Sequence, residues 1–175
     1  MSEKYMESIL VSVLGEDKPG LIDGLSEIIL SYEGDWVESR MSSFEGKFAG
    51  IIKVNVPSKN VDKLIKKLEA SNLGLKIVCE ETKSHALQPF KSYNIELIGQ
   101  NHIGIINKLS HALVALGGNV EEIKSEIIEA SMSGEKLFKA EITLHIPTTV
   151  EEYVIRDRLE DIANEMMVEI FSYES

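Results

Sequence analysis

Apolar residues in the first half of this chain are spaced alternately as in strands and as in helices. The apolar run over 9–14 predicts a strand, and apolar residues three and four positions apart over 21–32 predict a helix that stops at Gly34. The same criteria predict strands over 36–44 and 48–56 joined by a tight turn, a helix over 61–68 and a strand over 75–80. The predicted order of elements is therefore βαββαβ.

The second half of the chain repeats this order. Gly99 lies 84 positions after Gly15, and Gly104 lies 84 positions after Gly20, so the loop after the first strand occurs twice. Strands are predicted over 93–98, 120–129, 137–146 and 167–173, and helices over 105–116 and 151–165. Such a repeat fixes the architecture. We predict an α+β fold of two ferredoxin-like βαββαβ domains, 1–83 and 93–175, each with an antiparallel sheet and its helices on one face, joined by a polar linker over 84–92.

Composition and charge exclude several classes of partner. The chain of 175 residues is 43% hydrophobic and 27% charged, which is typical of a folded globular protein, and its formal net charge is -11. Because nucleic-acid sites depend on basic residues that neutralise phosphates, we expect no direct contact with nucleic acid. No apolar stretch approaches the ~20 residues of a membrane span or has the form of a secretory signal, so we expect a cytoplasmic protein without a membrane partner.

Residues that carry out catalysis or bind metals are not grouped in this sequence. We find no nucleophile beside a base, no carboxylate pair at a defined spacing and no cofactor loop, so we predict no enzymatic activity, no catalytic residue and no cofactor. No two histidines have metal-ligand spacing, and His111 and His145 are expected to point away from the core. The single cysteine, Cys79, lies in an apolar run where a small buried residue is expected. We predict no metal site.

The loop GEDKPG at residues 15–20, called here the first turn, is the strongest candidate for binding. It precedes a predicted helix, and the free N–H groups and positive dipole of a helix N-terminus suit a carboxylate or another anion. A purely structural interpretation is equally physical: Asp17 would cap the helix, Pro19 would begin it, and the glycines would let the chain turn. The glycine spacing is also that of a phosphate loop, but Leu21 and Ile22 stand where Lys and Ser or Thr are needed.

These features together resemble a known domain family. The motif G-x-D-x-P-G follows the first strand, and in both halves the first helix ends at a glycine just before the next strand, as Gly34-Asp35-Trp36 and Gly118-Asn119-Val120. This arrangement resembles the ACT domain, a regulatory module that senses amino acids. The resemblance covers nearly the whole chain as two tandem copies. Chains of this kind are similar to the glycine cleavage system transcriptional repressor family.

The second turn, residues 99–104, departs from the family motif. Asn101, His102 and Ile103 replace the aspartate, lysine and proline of the first turn. We therefore do not expect the two turns to bind equally and favour the first. The residues that the resemblance implies as ligand contacts are, in the first copy, Gly15, Asp17, Lys18, Pro19, Gly20, Leu21 and Asp35 and, in the second, Asn101, His102, Ile103, Gly104 and Asn119.

The resemblance implies a non-enzymatic regulator. Such a protein binds a small amino acid, glycine in the repressor family, and modulates transcription through a protein partner, a transcription activator. An alternative is a regulatory subunit or accessory ACT module of an enzyme of amino-acid or one-carbon metabolism. A third interpretation is an oligomeric scaffold without a ligand. Exposed strand edges or helices would allow two copies to form a homodimer.

Overall fold

A computed structural model describes residues 5–82, 89–130 and 134–174 of the chain. The chain divides into two compact units, Met1–His85 and Ala86–Ser175. Most of the predicted linker, 84–88, lies outside the described residues. Strand β5 of the second unit begins at Phe90, so residues 90–92, which we assigned to the linker, are part of a strand.

The first unit has the predicted βαββαβ order. Its four strands form one antiparallel sheet in the order β2-β3-β1-β4, so β2 and β4 are the edges. The elements are β1 (Met6–Glu16), α1 (Leu21–Ser31), β2 (Asp35–Phe44), β3 (Lys47–Pro57), a short 3-10 turn (Ser58–Asn60), α2 (Val61–Glu69) and β4 (Leu75–Glu81).

The second unit has the same order and sheet topology. Its strands are arranged as β6-β7-β5-β8, again antiparallel. The elements are β5 (Phe90–Gln100), α3 (Ile105–Ala115), β6 (Asn119–Glu129), β7 (Lys136–Pro147), α4 (Glu152–Met166) and β8 (Val168–Glu174). The predicted fold class, two ferredoxin-like domains in tandem, is confirmed.

Each core lies between one face of the sheet and its two helices. In α1 the buried residues Leu21, Leu25 and Ile29 are four positions apart, because side chains one helical turn apart share a face. Along β1 burial alternates, as expected for a strand with one covered face. The equivalent residues of α3 are Ile105, Leu109 and Leu113, each 84 positions later and also buried. The 84-residue offset therefore relates equivalent core positions.

Cys79 lies on the edge strand β4 and packs against the first core, as predicted for a small apolar residue, but is only half-buried. Burial raises the pKa of its thiol to about 11, with a smaller contribution from the carboxylate of Glu69.

Candidate functional site

The first turn lies at the end of the sheet where the β2–β3 hairpin closes and β4 begins. The backbone N–H of Asp17 donates to the carbonyl oxygen of Gly46 at the hairpin tip, at 2.9 Å. The hydroxyl of Ser43 donates to a carboxylate oxygen of Asp17 at 2.6 Å. Lys18 extends in the other direction and ends beside Gly74. The first turn is thus fixed between the hairpin and the start of β4.

The structural interpretation of Asp17 and Pro19 is wrong. Helix α1 begins at Leu21 and its N-cap is Gly20, so Pro19 precedes the cap instead of opening the helix. No side chain caps this helix, and the carboxylate of Asp17 is bonded to Ser43. An N-cap residue normally has extended backbone angles and a side-chain acceptor, and the glycine at this position provides neither.

Gly20 has a left-handed backbone, with φ of 88°, and a Cβ at this position would meet no atom within 4 Å. The first backbone bond of the helix runs from Gly24 N–H to Gly20 O at 2.9 Å. Among the described residues, no acceptor bonds the N–H groups of Leu21, Ile22 or Asp23. Three donors at the positive end of the helix dipole therefore have no acceptor in the described structure, which is a favourable environment for a carboxylate.

The second turn has the same backbone form but fewer free donors. Gly104, with φ of 86°, is the N-cap of α3. Here the N–H of Ile105 donates to the carbonyl oxygen of His102 at 3.3 Å, so that donor is already used. The Nδ1 atom of His102 lies 3.3 Å from the carbonyl oxygen of Ile103, and the side chain of Ile103 is fully exposed. The substitutions noted in the sequence thus accompany a real difference in the two helix N-termini.

Gly15 and Gly99 are explained by packing of the neighbouring strand. A Cβ on Gly15 would lie 2.6 Å from the carbonyl oxygen of Gly74, and a Cβ on Gly99 would overlap Val168. Both glycines let the last strand of their unit approach the first. They position the turn, and their conservation between the two copies needs no ligand.

Charges near the first turn are partly neutralised by pairing. Glu16 accepts a hydrogen bond from the ammonium group of Lys47 on β3. This bond, and next the charge of Lys47, lower the pKa of the Glu16 carboxyl, with a smaller effect from Lys18.

The side chain of Leu21 is buried in the core, so this residue offers only its N–H to a ligand.

Asp35 and Asn119 lie at the opposite end of their sheets from the turns. Asp35 pairs with Asn55, which pairs with Ser8, seven residues before Gly15 on β1. Seven residues of strand span about 24 Å. The same holds in the second unit, where Asn119 is level with Ser92 across His145. Within one unit, neither residue contacts a small molecule that is held at the turn.

His145 lies on the open face of the second sheet, as predicted, but is not free there. It pairs with Glu121 and stacks on Phe90, with ring centroids 3.8 Å apart. Sequence reasoning missed this cluster because the register of β6 shifts between Val120 and Glu122, where Glu121 is the extra residue. His111, in contrast, is exposed on α3, as expected.

Within residues 5–82, 89–130 and 134–174, no three His, Cys, Asp or Glu side chains are grouped so as to hold a metal ion. Among the helices of this described part, none is long and apolar enough to cross a membrane.

The model of the ACT domain family matches residues 7–80, which is nearly all of the described first unit. A crystal structure of an unknown protein from Galdieria sulphuraria has a TM-score of 0.86 at 24% identity, covering 98% of this chain and 99% of that protein. A candidate glycine cleavage system transcriptional repressor has a TM-score of 0.71 at 12% identity, covering 97% of this chain and 98% of the other. No curated protein matches the chain in sequence. The first unit is therefore an ACT domain, and the second unit repeats its fold.

Proposed function

We propose that this chain is a non-enzymatic regulator that senses a small amino acid at its first turn. The observation that carries the proposal is the uncapped N-terminus of α1, where three N–H groups have no acceptor among the described residues and follow Asp17 by a few positions. The carboxylate of a free amino acid would accept hydrogen bonds from these N–H groups, and its ammonium group would pair with the Asp17 carboxylate. The ACT family match of the same residues supports this assignment.

Glycine is the ligand we propose first. The turn opens directly onto Gly20, where no atom lies within 4 Å of the Cβ position, so a compact ligand can approach the backbone closely. A chain similar in fold bears the name of a candidate glycine cleavage repressor.

Ligand binding would be transmitted through the β2–β3 hairpin. The hydroxyl of Ser43 and the carbonyl of Gly46 both bond to Asp17. A ligand ammonium that recruits the Asp17 carboxylate competes with Ser43 and so favours a different position of the hairpin. Only such a difference in affinity between two arrangements allows a ligand to shift their populations.

The regulated process that we propose is transcription, acting through a protein partner. With a net charge of -11, the chain is a poor match for DNA, so an effect on transcription passes through a DNA-binding activator. The alternative, a regulatory module of a metabolic enzyme, uses the same site and differs in its partner. Affinity capture from the native cell extract, with and without glycine, distinguishes the two: recovery of a metabolic enzyme alone would favour the alternative.

Titration calorimetry with glycine, serine, alanine and glycinamide tests the site. We expect glycine to bind and glycinamide, which lacks a carboxylate, to bind at least tenfold more weakly. Asp17→Asn and Gly20→Ala should weaken glycine binding. Gly104→Ala is the matched control, because Gly104 has the same left-handed backbone and equal open space. Equal losses in Gly20→Ala and Gly104→Ala, or no binding by any amino acid, would refute the assignment.

A further inference from the structure

A cavity of about 400 Å³ lies between the two helices of the second unit. Asn107, Lys108, His111 and Ala112 of α3 form one side, and Arg158, Ile162, Glu165 and Met166 of α4 form the other. These residues recur at helical spacing on the facing sides of the two helices. The cavity is therefore a groove along the helix pair.

The floor of the groove is apolar and its rim is mainly cationic. Ile162 and Met166 are buried and Ala112 is half-buried, so they form the floor. Within the described residues, the ammonium of Lys108 has no hydrogen-bond or ion-pair partner. Arg158 has only a long pair, 3.5 Å, with the exposed carboxylate of Asp161. The rim therefore carries two cationic side chains, Lys108 and Arg158, and one carboxylate, Glu165, although the net charge of the whole chain is -11.

The α1 positions of the first unit that correspond to the groove residues of α3 carry no cationic side chain. At the 84-residue offset, Asp23, Gly24, Glu27 and Ile28 stand where Asn107, Lys108, His111 and Ala112 stand in the second unit. Ile28 and Leu73 pack against the first core, and a Cβ on Gly24 would lie 2.6 Å from a methyl carbon of Leu73. A side chain as long as lysine at that position would have to displace the side chain of Leu73. The α3 side of the groove therefore differs from the corresponding side of α1 in both charge and space.

We propose that this groove binds a small organic carboxylate with an apolar body. The volume lies in the range of small-molecule pockets, which combine an apolar lining with a few polar groups that fix orientation. Lys108 and Arg158 would bind the carboxylate, because charge-assisted hydrogen bonds from Lys or Arg to an oxyanion are the strong ones. The apolar body would cover Ala112, Ile162 and Met166. An inorganic anion would leave that floor exposed to water.

The test uses 4-methylpentanoate as the probe, added to the full chain labelled with 15N. We expect saturable shifts of the amide signals of Lys108, Ala112 and Ile162. The neutral 4-methylpentan-1-ol and inorganic phosphate each lack one half of the proposed recognition and should bind at least tenfold more weakly. Equal binding of the alcohol or of phosphate, or no saturable shift with the carboxylate, would overturn the proposal.

Variants separate this groove from the rest of the surface. Lys108→Ala and Arg158→Ala should each weaken binding about tenfold, as expected for the loss of a hydrogen bond to a charged group. Arg156→Ala is the control, since Arg156 lies on the same helix but pairs with Glu152 outside the groove. No loss in Lys108→Ala and Arg158→Ala, or a loss of the same size in Arg156→Ala, would overturn the proposal.

Two further variants examine space and charge. Ala112→Ile introduces the residue that the first unit has at this position and should abolish binding while the amide spectrum keeps its folded dispersion. Glu165→Gln should strengthen binding, because it removes the one carboxylate of the rim. Weaker binding in Glu165→Gln would contradict the proposal, because the carboxylate of Glu165 would then assist the anion instead of repelling it. Retained affinity in a folded Ala112→Ile would also contradict it.

Discussion

Replacing each glycine of the first turn by alanine separates packing from backbone conformation. A Cβ on Gly15 would lie 2.6 Å from the carbonyl oxygen of Gly74 and 2.8 Å from a methyl carbon of Leu75. A Cβ on Gly20 would meet no atom within 4 Å, but φ at Gly20 is 88°. The first substitution therefore creates a clash with backbone, and the second creates only conformational strain.

The two costs are expected to differ. The left-handed conformation costs an L residue about 1–2 kcal/mol, and alanine regains about 0.4–1 kcal/mol by restricting the unfolded chain, so Gly20→Ala should lower the free energy of unfolding by about 1 kcal/mol. Gly15→Ala should lower it by about 2–3 kcal/mol, as for an overpacked core, because the Gly74 carbonyl cannot move without shifting the pairing of Gly15 with Leu75.

Urea unfolding followed by tryptophan fluorescence measures both costs. Trp36 is the single tryptophan of the chain and packs against the first core, so its emission reports on the unit that contains the turn. Gly46→Ala is the control for strain alone, because Gly46 has φ of 74° and open space. If Gly15→Ala costs no more than Gly20→Ala, the packing explanation of the first glycine is refuted.

Three further predictions concern single groups. Burial, and to a smaller extent Glu69, raise the pKa of the Cys79 thiol to about 11, so it should react only slowly with DTNB in the folded protein at pH 7, and fast reaction would contradict the shift. The stability that this shift contributes is present below pH 9 and is lost as pH rises through about 11. Lys47→Ala should raise the pKa of the Glu16 carboxyl in a 13C NMR titration, and an unchanged pKa would show that the pair is absent. In the native protein the pair stabilises the fold above the ordinary pKa of 4.5, and this effect is lost as pH falls through the lowered pKa of Glu16. Leu109→Ala should lower the unfolding free energy by about 2–5 kcal/mol in urea unfolding followed by circular dichroism, because Leu109 is buried in the second core, and a loss below 1 kcal/mol would contradict that burial.

Much of the fold follows from the spacing of apolar residues. The buried positions Leu21, Leu25 and Ile29 lie on one helical face, and the alternation along 142–146 places Ile142, Leu144 and Ile146 in the core. These local rules, applied twice, were sufficient for the order of elements. They were less accurate at element ends: β1 runs from Met6 to Glu16, beyond the predicted range 9–14, because pairing with β3 continues past the apolar run.

The candidate site depended on contacts that are distant in sequence. The Ser43 hydroxyl binds Asp17 across 26 positions, and no local rule indicates that this bond replaces a helix cap. The left-handed backbone of Gly20 moves the helix start beyond Pro19, which the proline itself does not reveal. Asp35 was grouped with the turn because the family motif includes it, yet β2 runs parallel to β1, so its first residue lies at the far end of the sheet.

The groove of the second unit was not visible in the sequence either. His111 was correctly expected to be exposed, but the cavity beside it arises from Ala112 on α3 and the facing residues of α4 together. Comparing the two copies position by position would have pointed to the change from Ile28 to Ala112. Only the packing of Ile28 and Leu73 against the first core shows that this change opens space.

Titration of the 15N-labelled full chain with glycine tests the central proposal most directly. The proposal predicts saturable shifts that are largest for the amide signals of Leu21, Ile22 and Asp23, with a smaller shift at Ser43 as Asp17 changes partner. Gly20→Ala should remove these shifts, and Gly104→Ala should leave them. Shifts confined to other parts of the chain, or none up to glycine concentrations of about 10 mM, where even binding as weak as ~1 mM would be near saturation, would contradict the account.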